Sequence, residues 1–170
     1  EAHCYAPLTP CDSVRQAIAA ELRHLGPRFA AMHVRRTDLF TAVPASEHTT
    51  DSEFEAWADG LVPRANERRA PKHVEGLRIY VATDNADTQQ SFLSLYGEAA
   101  RVHKPIKSSG ALRQTGLAEA VVDLFVSAAA PDGFMGSYYS SFSDAIRFLR
   151  ATQGRSGANE DLARARQSAG

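Results

Sequence analysis

The chain has 170 residues, 44% hydrophobic and 23% charged, with a formal net charge of −1. That length supplies one domain with a real core, and the composition excludes disordered, fibrous and disulfide-dense classes. A near-neutral balance excludes a broad nucleic-acid footprint, and no apolar run approaches the ~20 residues of a membrane span.

Residues 1–11 form a Pro-rich lead-in holding both cysteines, Cys4 and Cys11. They read as a short-loop disulfide or as two free thiols, the disulfide being favoured. No signal peptide is visible. The chain opens on Glu1, so a missing leader says little about compartment. The chain has no Asn-x-Ser/Thr sequon, which argues mildly against a secretory route. A domain is expected over residues 12–153. Asp12 and Ser13 are N-cap candidates, with Ser13-x-x-Gln16 spaced as a capping box. Val14, Ile18, Leu22 and Leu25 then recur at helical spacing until Gly26-Pro27.

The stretch Phe29 to Asp38 organises the chain: an apolar run leads into two adjacent arginines and closes on an acid. As a strand it places Phe29, Ala31, His33 and Arg35 on one face and Ala30, Met32, Val34 and Arg36 on the other. The charges collect at its carboxyl end, which in an open α/β sheet faces the ligand crevice. Two guanidinium forks there suit a diphosphate. The other reading is a solvated strand end neutralised by surface carboxylates.

Residues 39–51 read as a long loop, with Glu47 and His48 as candidates for moving a substrate proton or as plain loop residues. Ser52-x-x-Glu55 is spaced as a second capping box, and Phe54, Trp57, Ala58 and Leu61 form a stripe that Pro63 should end. The basic run Arg64, Arg68, Arg69 and Lys72 reads as a solvated connector rather than an anion patch. Leu77–Ala82 predicts a second strand. Asp84 or Asn85 would cap the next helix, which ends at Gly97. That position, with the helix dipole, accounts for Asp84 and Asp87 without a metal.

Residues 101–105 read as a weak third strand. A helix with a broad apolar face follows, carrying Ala118, Val121, Val122, Phe125, Ala128 and Ala129. Asp123 lies off that stripe, at the ligand end or in solvent. Phe134–Ser137 reads as a short strand, and Ser140 to Asp144 opens the last helix. Serines there cap, or help bind a phosphate. Residues 154–170 read as a polar tail. Helix and strand alternate throughout, which predicts an α/β fold: a Rossmann-like parallel sheet flanked by helices. There are no Walker glycines, no GxGxxG, no zinc spacing and no GxSxG elbow.

His33-Val34-Arg35-Arg36-Thr37-Asp38 resembles the first signature of the GDP-fucose fucosyltransferases, the α1,6-fucosyltransferase and protein O-fucosyltransferase superfamily. Tyr80-Val81-Ala82-Thr83-Asp84 resembles the second. Val122-Asp123-Leu124-Phe125 through Gly136-Ser137-Tyr138-Tyr139-Ser140-Ser141-Phe142 resembles the third. The three occur in the family's order and together cover residues 13–150.

The resemblance implies the C-terminal, donor-binding half of a GT-B enzyme: inverting, metal-independent and without a cofactor. GDP-fucose would be the donor and a glycan or glycoprotein the acceptor. It implies Arg35 as the catalytic contact to the donor β-phosphate, with Arg36 and Asp38 beside it. His33 and Asp123 would meet the guanine end, and Ser140, Ser141 and Phe142 would close around the phosphates. Asp84 would be a structural cap or ribose neighbour. A eukaryotic member would work in the Golgi or ER lumen, another in the cytoplasm.

Leu39 departs from the lysine of α1,6-type members, and Glu47 is only an uncertain counterpart of their glutamate. An N-terminal acceptor domain would have to be supplied in addition to this chain. Two rivals remain: a module that holds GDP and transfers nothing, and a magnesium-dependent hydrolase using Asp84.

Overall fold

The computed structural model describes residues 9–36, 44, 48–67, 75–106 and 115–154. The elements are α1 (Asp12–Leu25), β1 (Phe29–Val34), α2 (Asp51–Asp59), β2 (Arg78–Thr83), α3 (Ala86–Tyr96), a 3₁₀ turn (Gly97–Ala99), β3 (Ala100–Arg101), α4 (Leu117–Ala129), β4 (Phe134–Gly136) and α5 (Ser141–Thr152). The strands form one parallel sheet in the order β3-β2-β1-β4. His33 lies opposite Ala82 on one side and Gly136 on the other.

The alternation of β1 sorts the core into two layers. Phe29 and Ala31 pack with Tyr80, Val126, Ile146 and Leu149, under α1, α4 and α5. Met32 and Val34 pack with Phe54, Ile79, Val81 and Phe92, under α2 and α3. All six residues of β1 are buried, as a central parallel strand requires.

Connections from β1 through β2 to β3 run one way along the sheet. The connection from β3 through α4 then returns to the far side of β1. The chain leaving β1 enters α2 on one face, and the chain leaving β4 enters α5 on the other. The carboxyl ends of β1 and β4 therefore flank the topological switch point, where open α/β sheets hold ligands. Among the described residues no helix is long and apolar enough to cross a membrane.

Several local expectations shift. α1 is N-capped by Cys11 without a side-chain bond, so Ser13-x-x-Gln16 is not used as a capping box. Cys11 is an exposed free thiol; Cys4, its expected partner, lies outside the described residues. The capping box of α2 is Thr50 with Glu53, two residues before the expected pair, and α2 ends at Asp59, ahead of Pro63. Starting at Thr50 brings Asp51 against Arg36. Asn85, not Asp84, caps α3. The third strand is only Ala100–Arg101, and residues 102–106 turn away from the sheet. Arg64 pairs with Glu55 and Asp59, as a solvated connector would; Arg68, Arg69 and Lys72 lie outside the described residues.

Candidate functional site

Arg35 leaves the carboxyl end of β1, and its backbone N–H donates to Ser137 Oγ at 2.8 Å. Ser137 follows β4, is fully buried, and donates from the same hydroxyl to the His33 carbonyl at 3.2 Å. Its own N–H reaches that carbonyl at 3.0 Å. The two strand ends are thus laced together through one serine.

Asp84, buried at the end of β2, fixes Arg35 from the other side. Its Oδ2 lies 3.2 Å from Arg35 Nε, while Oδ1 accepts the Arg36 backbone N–H at 2.9 Å. One carboxylate therefore sets both the main chain and a guanidinium. The Arg35 side chain remains 23% exposed at the carboxyl end of β1, next to the switch point.

Arg36 behaves differently. Its guanidinium donates to the Arg35 and Thr49 carbonyls at 3.1 Å each, bonds the Asp51 carboxylate, and lies 5.7 Å over the Phe54 ring. It is buried on the α2 face of the sheet. The structure does not bring it to Arg35 as a second fork; it ties β1 to the start of α2. Thr49, so held, accepts the Tyr138 N–H on its Oγ1 at 2.9 Å and bridges the loops after β1 and β4.

His33 is buried with Nδ1 2.8 Å from Ser143 Oγ, and its ring centroid lies 4.7 Å from that of Phe142. Burial pushes the imidazole down to about 3, opposed by Asp84 and reinforced by Arg35 and Arg147. It is a neutral, enclosed ring. Ser140 is the N-cap of α5, accepting the Ser143 N–H at 3.3 Å; Ser141 is exposed, and Phe142 is half-buried beside His33. The close packing needs Gly136: a Cβ there would come within 2.8 Å of the Ser143 side chain.

Asp123 sits elsewhere. The buried stripe of α4 includes Val122, Val126 and Ala128, with Phe125 only half-buried, so the helix is turned from the stripe read in sequence. That rotation takes Asp123 inside, where its Oδ1 accepts a hydrogen bond from the Tyr80 hydroxyl. Burial pushes its carboxyl up to about 7; Tyr80 opposes this, and Glu21 and Glu119 add to it. Burial likewise raises the Tyr80 phenol well above its ordinary value.

Asp123 lines a pocket of about 300 Å³ at the carboxyl end of β2, with Thr83, Gln89, Lys104, Ile106 and Glu119. Lys104 Nζ and Glu119 Oε1 pair at 2.7 Å on its wall. His33 does not line this pocket, so the structure separates the two residues expected to meet a base together. Thr83 lines it, and the next residue, Asp84, holds Arg35. Pocket and crevice are therefore consecutive along one sheet edge.

His48 is buried beside Thr49, whereas Asp38 and Glu47 lie outside the described residues. Among the described residues no group of three His, Cys, Asp or Glu side chains is placed to hold a metal. Sequence reasoning passed over Ser137, Thr49 and Tyr80 as site residues. Ser137 could have been found, as the hydroxyl directly after the last strand. Thr49 and Tyr80 act through partners 89 and 43 positions away and carry no local signal.

No family model matches the chain, and no curated protein matches it. Solved structures do. NodZ α-1,6-fucosyltransferase soaked with GDP-fucose aligns at 19% identity and a TM-score of 0.50, over 82% of this chain and 42% of that one. NodZ α-1,6-fucosyltransferase co-crystallized with GDP aligns at 18% and 0.50, over 82% and 42%. Fucosyltransferase NodZ from Bradyrhizobium aligns at 16% and 0.51, over 81% and 42%. At these identities the likeness establishes the fold: a Rossmann-like α/β unit of the kind found in these glycosyltransferases. The chain spans 42% of the length of each of the three.

Proposed function

We propose that this chain is the donor-binding domain of a glycosyltransferase that moves fucose from GDP-fucose to a glycan or protein hydroxyl, with inversion and without a metal. The observation that carries this is the Arg35 guanidinium, braced by Asp84 and partly exposed at the carboxyl end of β1, beside the switch point. Breaking a sugar–phosphate bond leaves charge on the departing diphosphate. A cation held in place beforehand stabilises that charge without reorganising. Arg35 would do this at the terminal phosphate. Ser140, Ser141 and the first turn of α5 would supply hydroxyl and N–H donors to its oxygens.

The adjoining pocket suits the base. A carboxylate at Asp123 accepts paired donors such as N1–H and the 2-amino group of guanine, which uracil cannot present together. His33 would act by backing Phe142 and Ser143 rather than by touching the base. Arg36 would act by fixing the β1 end, through Thr49 and Asp51.

Calorimetric titration with GDP and UDP, with and without EDTA, tests the binding half of this reading. The expected result is GDP binding that exceeds UDP binding, ignores EDTA and collapses in Arg35→Ala. Equal affinity for both nucleotides, or dependence on a divalent ion, contradicts it. The chain spans 42% of its structural neighbours, which keeps a binding-only module as the second reading. Fucose transfer by the full-length protein, lost in Arg35→Ala, separates the two.

A further inference from the structure

Tyr139 is the one non-glycine among the described residues with a positive φ, 55°, and the residue is 67% exposed. It occupies the third position of the turn joining β4 to α5, a place ordinarily given to glycine or asparagine. Its neighbours allow little else. Ser137 is fixed by three bonds to β1, the Tyr138 N–H is tied to Thr49, and Ser140 is committed as the N-cap of α5. A large aromatic residue is thus kept in a strained backbone conformation with two thirds of its surface exposed. Such strain persists only where surrounding structure over-determines it, and it clusters at ligand sites.

We propose that the Tyr139 ring is a stacking platform for the sugar of the nucleotide-sugar donor. This rests on the function proposed above and adds to it the contact that tells the donor from its bare nucleotide. Tyr139 lies one residue before the serine assigned to the terminal phosphate, and the sugar hangs from that phosphate. An exposed phenol ring offers the apolar C–H face of a hexose a flat, rigid partner at low entropic cost. The bonds of Ser137, Tyr138 and Ser140 fix the backbone that carries the ring, so its attachment point beside Ser140 is set before ligand arrives.

The test measures GDP and GDP-fucose affinities by calorimetry for the wild type, Tyr139→Phe and Tyr139→Gly. The glycine variant removes the ring while relieving the backbone, so folding is not at risk. In Tyr139→Gly the ratio of the GDP-fucose to the GDP dissociation constant should rise about fivefold, the range of one lost aromatic face contact. GDP affinity itself should stay within about twofold. Tyr139→Phe should keep the wild-type ratio. A ratio unchanged in Tyr139→Gly overturns the platform, as does an equal loss for both ligands. A wild type that binds neither ligand overturns the donor-domain reading, and this proposal with it.

Discussion

Both ends of β1 carry an arginine paired with an aspartate. At the amino end, Arg28 reaches Asp132 just before β4, at 2.6 Å. At the carboxyl end, Arg35 reaches Asp84 just after β2, at 3.2 Å. The shorter contact is the less consequential. Arg28 is half exposed, and such surface pairs contribute little because water and salt screen them. Asp84 is buried, also takes the Arg36 backbone N–H, and so holds Arg35 in one direction at the place where the sheet opens. One pair closes the strand; the other presents a cation. What separates them is topology: the amino end lacks a switch point, and the carboxyl end has one beside β4.

The contrast is most exposed to a pair of alanine substitutions. Arg35→Ala should cost GDP binding about 2 kcal/mol or more, roughly thirtyfold, as loss of a charged phosphate contact does. Arg28→Ala should leave GDP affinity within about twofold. Calorimetry on both variants decides, and equal losses would erase the distinction between the two ends.

Arg36→Ala sharpens it along the chain. The expected outcome is a loss of about 2 kcal/mol of stability in urea unfolding, from broken carbonyl bonds and a lost cation–ring contact. The change in GDP affinity should be smaller than that of Arg35→Ala.

Gly136→Ala should destabilise by about 1.5 kcal/mol, because the new methyl meets Ser143 and disturbs the bond to His33. Gly76→Ala is the comparison for positive φ without a clash.

The smallest expected effect is on pH dependence. With the Asp123 carboxyl near 7, guanine recognition needs the ionised form, so GDP binding should weaken about tenfold from pH 8 to pH 6. Stability runs the other way. A carboxyl whose folded pKa is raised stabilises the fold when protonated, and that contribution fades as pH rises from the unfolded value through 7. Asp123→Asn should flatten both trends. Any binding slope left in that variant measures the titration of the phosphate itself.

Much of the fold was legible. Period-2 alternation sorted the residues of β1 correctly between the two core layers, and Gly26 and Gly97 marked real helix ends. It also put Arg36 on the face of Met32 and Val34, but Asp51 and Phe54, which claim its guanidinium, lie fifteen and more residues on. Asp123 was harder. Apolar spacing sets a helix face only to within one position, and the hydroxyl of Tyr80 decided the rotation. The brevity of β3 was hidden as well, because the chain leaves the sheet after Arg101 and residues 103–106 line the pocket.

The most direct test of the central claim is hydrogen–deuterium exchange with and without GDP. Protection is expected in the peptides spanning Arg35–Arg36 and Tyr138–Asp144, with the Arg28 and Asp132 peptides unchanged. GDP binding that protects the amino end, or leaves both carboxyl-end peptides unaltered, would contradict the account.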